Sequence, residues 1–181
     1  LKGIDIREHG SGNPGAANVY RVVGKGAGAA TLFVDALKGF FPVLLARHQY
    51  PEDYTIQIVA GALAIIGHVW TIFLRFRGGK GVATSAGVFV AMLPKPMLGA
   101  IGVFLVGVVT TGHISVGSMS AALVFPFFAL LLGEPWPLTA MAFAAGILIL
   151  IKHIPNFRRL VLGEELHFQH GSHLEKSEKR Q

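Results

Sequence analysis

Six apolar stretches separated by short polar segments, at about residues 27–46, 55–75, 82–94, 97–112, 116–133 and 136–151, constrain the fold of this 181-residue chain more than any other feature. A bilayer has no water to satisfy an exposed backbone, so a chain with this rhythm crosses as helices. A straight crossing needs about 20 apolar residues. Five of the runs approach that length. The 82–94 run is too short and is expected to be tilted, re-entrant or buried among the others. Charged residues make up only 14% of the chain, against about 25% in soluble domains, and few acidic residues interrupt the apolar middle. The 23 glycines suit close helix packing within a membrane. The expected fold is therefore all-α, a polytopic transmembrane helix bundle. Pro94, Pro96, Pro135 and Pro137 are read as turn markers.

The formal charge of +6 is not a nucleic-acid signature here, because the basic residues occupy the connectors. If every run crosses, Lys2, Arg7, Arg21, Lys25, Arg75, Arg77, Lys80, Lys152, Arg158 and Arg159 share one side, and only Arg47 and Lys95 lie on the other. The positive-inside rule makes the first side cytoplasmic. Lys176, Lys179 and Arg180 add to it. The opening residues, Leu1 to Asp5, lack the apolar core of a signal peptide. The absence of an initiating Met raises the expectation of residues upstream. The chain has no cysteine, which excludes disulfides, thiolate nucleophiles and cysteine-ligated metal.

Four segments, 10–25, 67–85, 113–120 and 152–165, are richer in Gly, Ser and basic residues than connectors require, and all four fall on the cytoplasmic side. Polar groups at membrane depth face protein or water, so their convergence predicts one composite site. The first reads Gly10-Ser11-Gly12-Asn13-Pro14-Gly15, followed by Asn18 and Arg21. Its glycines free backbone amides for an anion, and the Arg21 guanidinium can grip a phosphate. The same residues spell G-x-G-x-x-G, but no strand precedes them, which excludes a dinucleotide fold. The second contains Gly67-His68 and then Arg77-Gly78-Gly79-Lys80-Gly81-Val82-Ala83-Thr84. This is a glycine loop opening a helix, where amides and a lysine favour phosphate. Gly81 stands where a Walker loop needs Ser or Thr. The third, His113 to Ser120, carries Ser115 and Ser118, which capping alone could explain. The fourth holds Lys152-His153, Asn156 and Arg158-Arg159. Asp35 and Lys38 are spaced to pair within a helix.

The first two segments together resemble the bacterial acyl-phosphate:glycerol-3-phosphate acyltransferases, the PlsY family, and the likeness extends over residues 1–165. The family's serine and C-terminal motifs fall in order at the third and fourth segments. The resemblance implies a seven-helix inner-membrane enzyme, its first helix missing from this chain and its active site cytoplasmic. It would transfer a fatty acyl group from acyl phosphate to glycerol 3-phosphate, giving lysophosphatidic acid and phosphate without cofactor, metal or required protein partner. Carried over by position, Lys80, Ser118, His153 and Asn156 take catalytic roles. Ser11, Arg21, Asn13, Asn18 and Ser115 bind glycerol 3-phosphate. Gly78, Gly79 and Gly81 cradle acyl phosphate. The chain departs from the family pattern at Ala17, Trp70-Thr71, Arg77 and Ile154-Pro155.

Residues 1–163 are expected to form the membrane domain and 164–181 a polar tail. His167, His170 and His173 in that tail have no surrounding shell for a metal. Two other functions fit parts of the pattern. Helix breaks near a polar site occur in anion transporters. His48 and Asp53 have the His-x4-Asp spacing of acyl-CoA-dependent acyltransferases, but fall on the outer side.

Overall fold

The structure, a computed structural model, describes residues 4–168. Its regular elements are helical: α1 (Ala16–Val22), α2 (Lys25–Gln49), α3 (Tyr54–Val69), α4 (Val82–Met92), α5 (Pro94–Thr111), α6 (Ile114–Leu131), α7 (Trp136–Lys152) and α8 (Ile154–Val161). Short 3-10 turns at Ile6–Glu8 and Ile72–Leu74 complete the set, and no strand occurs among the described residues. Among the described residues, four helical stretches are long and apolar enough to cross a membrane, five if α7 and α8 form one bent span. The bend between those two is 51°. Its cause is Pro155, which has no N–H to continue the helical ladder.

Five of the six predicted runs coincide with α2, α3, α5, α6 and α7, and the sixth is α4. At 11 residues, α4 is only about 16 Å long. It lies inside the bundle against α2, α3, α5 and α7, with Val88 and Phe89 among its most buried side chains. The outer surface carries Phe33, Leu63, Leu98, Val109 and Leu131, apolar groups that a bilayer accommodates and water would not.

Two details differ from the sequence expectation. Pro94 and Pro96 lie in the first turn of α5 rather than in a loop. A missing N–H costs nothing there, because that turn has no intrahelical acceptor to serve. The polar segments also fold into the short helices α1 and α8, which their lack of apolar length concealed.

The contact between α2 and α4 requires glycine on both sides. A β-carbon at Gly39 would collide with the Thr84 carbonyl, and one at Gly87 with the Ala36 carbonyl. Small residues allow the helix backbones to approach this closely, and this approach fixes where α4 begins. Gly87→Val is therefore expected to destabilise the bundle by about 1–3 kcal/mol through overpacking. Thermal unfolding in detergent should show a lowered midpoint for Gly87→Val. Gly102→Ala, where a β-carbon meets open space, should show no loss.

Candidate active site

Because successive long helices run in opposite directions, all four polar segments gather at one end of the bundle. There they enclose a cavity of about 120 Å³. Ser11, Asn13, Asn18, Arg21, Lys80, Gly81, Ser115, Ser118, His153 and Asn156 line it, so nearly every predicted site residue reaches one space. Gly78 and Gly79 border an adjoining hollow that also contains Ser11, Lys80 and Asn156.

The glycine loop is shaped by contact with α3. The Gly78 amide donates to the Val69 carbonyl at 3.1 Å. A β-carbon at Gly78 would strike the His68 carbonyl, and one at Gly79 the His68 ring. Gly81 caps α4 in the left-handed region, at φ 84°. Larger residues would push the loop off α3 and away from the helix N-terminus, where the backbone amides are unpaired.

Lys80 Nζ donates to Asn156 Oδ1. Asn156 Nδ2 in turn donates to Glu165 Oε1 at 2.6 Å, and Arg159 Nε donates to Glu165 Oε2 at 2.8 Å. The Glu165 side chain is 1% exposed. Burial alone would raise its pKa, but hydrogen bonds from Asn156 and the charge of Arg159 hold the carboxyl below its ordinary value. Burial pushes the Lys80 ammonium down to about 8 against the opposing pull of Glu165, with Arg159 and Arg21 adding to the depression. Burial likewise lowers the Arg21 pKa, from a value so high that the group stays charged. Three cations thus surround one carboxylate, an arrangement that favours an anion.

Several polar atoms here have no protein hydrogen-bond partner among the described residues. Arg21 Nε and Ser115 Oγ are buried in this condition, with Ser115 beside Glu165 but without a completed bond to it. Unpaired buried donors are costly and suit a ligand rich in acceptors. His153 Nδ1 donates to the Ile149 carbonyl at 2.8 Å. A carbonyl only accepts, so Nδ1 carries the proton, and in the neutral ring Nε2 keeps its lone pair.

Other predicted site residues are engaged locally. Asn18 is 1% exposed and braces the first loop, accepting from the Ser11 amide and donating to the carbonyls of Ile6 and His9. Asn13 accepts from the Gly15 amide. Ser118 donates to the Ile114 carbonyl. His48 is far away: α2 rises about 1.5 Å per residue, placing it roughly 20 Å beyond Asp35, which lines the cavity. Asp53 caps α3, accepting from the Thr55 and Ile56 amides. That pair does not form a site with the cavity residues.

The sequence reading missed two features. Asp35 pairs with Lys38 at 2.5 Å as its spacing suggests, but it also faces His68 Nδ1 at 3.5 Å, joining α2 to the glycine loop's neighbour. Glu165 lies where the fourth polar segment overlaps the stretch read as tail, and it was not among the predicted site residues. Gly163, at φ 71°, ends α8 in a Schellman turn in which the Glu164 amide donates to the Arg159 carbonyl at 2.8 Å. This turns the chain back over the cavity. Arg21 then donates to the Leu166 carbonyl at 3.3 Å, and the Phe168 amide to the Gly112 carbonyl at 2.9 Å. Gly163 was the available signal. His167 packs beside His113 and Phe168, while His170 and His173 lie outside the described residues.

The sequence model for glycerol-3-phosphate acyltransferase matches residues 1–163. The chain belongs to the glycerol-3-phosphate acyltransferase family. It is 46% identical to the glycerol-3-phosphate acyltransferase of Geobacter sulfurreducens, over 92% of this chain and 86% of that one. It is 44% identical to that of Geotalea daltonii, over 90% and 84%. Its fold is similar to the crystal structure of PlsY, an integral membrane glycerol 3-phosphate acyltransferase, in the glycerol 3-phosphate form. That match has a TM-score of 0.89 and 38% identity, covering 92% of this chain and 84% of that one. The lysophosphatidic acid form matches with a TM-score of 0.83 and 36% identity, over 88% and 82%.

In this acyltransferase fold the charge on Lys80 is expected to set an alkaline limit for anion binding. With its pKa near 8, Lys80 is protonated at lower pH and loses its charge as pH rises through that value. Affinity for sulfate, an anion that stays fully ionised throughout this range, should fall above pH 8 when measured by calorimetry. Glu165→Gln removes a charge that raises the Lys80 pKa, so the decline should begin at lower pH.

Proposed function

We propose that the cavity transfers a fatty acyl group from acyl phosphate to glycerol 3-phosphate, yielding 1-acyl-glycerol 3-phosphate and inorganic phosphate. Family membership supports glycerol 3-phosphate as the acceptor. The observation that carries the choice of donor is the junction of two cavities. The polar cavity opens into an apolar one of about 250 Å³, and Leu32, Val82, Ala83, Phe104 and Ser118 border both. A donor with a phosphate head and a hydrocarbon tail fits across that junction, its head at the Lys80 loop and its tail between the helices. The basic connectors support a cytoplasmic orientation in a bacterial inner membrane.

Acyl phosphate is a mixed anhydride, so no covalent enzyme intermediate is needed. The glycerol hydroxyl attacks the acyl carbon, a C–O ester bond forms, and the bond from acyl carbon to phosphate oxygen breaks. The phosphate leaves with the electron pair. Lys80 and the amides at the α4 N-terminus stabilise that developing charge. Arg21 and Ser11 hold the acceptor's phosphate, and Asn156 keeps Lys80 in place. The hydroxyl proton passes to His153 Nε2 or to an oxygen of the departing phosphate. Holding both substrates in register supplies much of the acceleration.

The test is lysophosphatidic acid formation by membranes carrying the protein, with palmitoyl phosphate or palmitoyl-CoA as donor. Product is expected from the phosphate alone. Lys80→Ala should lower kcat/KM by about 100- to 1,000-fold, the usual cost of removing one charge-stabilising donor. Product from the CoA ester alone, or none from folded protein, would overturn the assignment.

A further inference from the structure

The apolar cavity has a floor. It follows four helices away from the polar site, and small residues give it width: Ala86 on α4, Ala121 and Ala122 on α6, and Ala145 and Gly146 on α7. Its farthest lining residues on α4 and α6 are Phe89 and Phe125. Both are buried, at 2% and 5% exposure, and their rings meet with centroids 4.7 Å apart. Met97, at the far end of α5, packs against the same core. Ser118 borders both cavities, and α6 rises about 1.5 Å per residue, so Phe125 lies roughly 10 Å below the junction. A bilayer core of about 30 Å spans two lipid tails, making a membrane-length tail roughly 15 Å. The cavity is therefore shallower than such a tail.

We propose that the Phe89–Phe125 pair is a specificity determinant, a gauge that sets how much of the acyl chain is housed between the helices. This rests on the reading that the cavity accepts an acyl donor, and it adds the length-sensing residues. Carbon atoms above the pair are buried by α4, α5, α6 and α7. Those beyond it meet two packed rings and gain no further burial. The competing route is sideways, past Leu32 and Leu105, which line the cavity and also face outward. A tail leaving there would not sense the rings.

The experiment measures inhibition and binding by a series of straight-chain alkyl phosphonates, from ethyl to octadecyl, on the full chain in detergent. These compounds carry head and tail but cannot transfer an acyl group. Wild-type affinity should rise roughly fourfold per added methylene while burial continues, then level off at one chain length. Phe125→Ala should move that break to longer chains. Ala86→Phe, one helical turn nearer the junction, should move it to shorter chains while leaving the shortest phosphonates nearly unaffected. The second variant fills space rather than emptying the core, so it reports even if Phe125→Ala does not fold. A uniform slope through all lengths, or an unmoved break in both variants, would overturn the gauge. Failure of the functional reading looks different: no lysophosphatidic acid from any acyl phosphate, with the break and its displacement intact.

Discussion

The position of the whole site depends on a helix too short to cross the membrane. Because α4 has 11 residues, its N-terminus lies recessed within the bundle instead of at the outer rim. The glycine approach of α2 holds it there through Gly39 and Gly87. A helix start carries unpaired amides and a partial positive charge. Recessing that start beside Lys80 creates a positive site at the head of an apolar channel. Bulkier residues at the α2–α4 contact would change the helix spacing and, with it, the distance from the glycine loop to Arg21 and His153.

Burying that much positive charge needs a counterweight, and the protein supplies only part of one. Glu165 faces Lys80 through Asn156 and faces Arg159 directly. Asp35 is occupied with Lys38 and His68. The cavity is left electropositive, which suits an anion. Electrostatic attraction inside low-dielectric walls is stronger than in water. Full internal neutralisation would have given a more comfortable empty site and a poorer anion site.

Much of this was legible in the sequence because hydrophobic length and loop charge are direct readouts of a bilayer. The six apolar runs became helices, and α4 was already marked as too short. Ser11, Arg21, Lys80, Ser115, Ser118, His153 and Asn156 all line the cavity, because alternating helices must bring alternate connectors to the same end. Asn18 was legible as a motif position but not as a loop brace, since its contacts with Ile6, His9 and Ser11 depend on the folded path. Glu165 closes the fourth polar segment, but its role as counter-ion was hidden by composition. A glutamate in a polar run looks solvated, and only the left-handed turn at Gly163 sends it inward. The depth of the apolar cavity was equally invisible, because it depends on which faces of α4 and α6 turn toward each other.

The Schellman turn at Gly163 also gives the site a temporal order. The ribosome delivers Lys80 early, between α3 and α4, but supplies Glu165 only after α7 and α8. During insertion the lysine loop therefore exists without its carboxylate. All eight described helices precede that counter-ion in the chain, so the charge balance of the lysine loop is completed only by the last described segment.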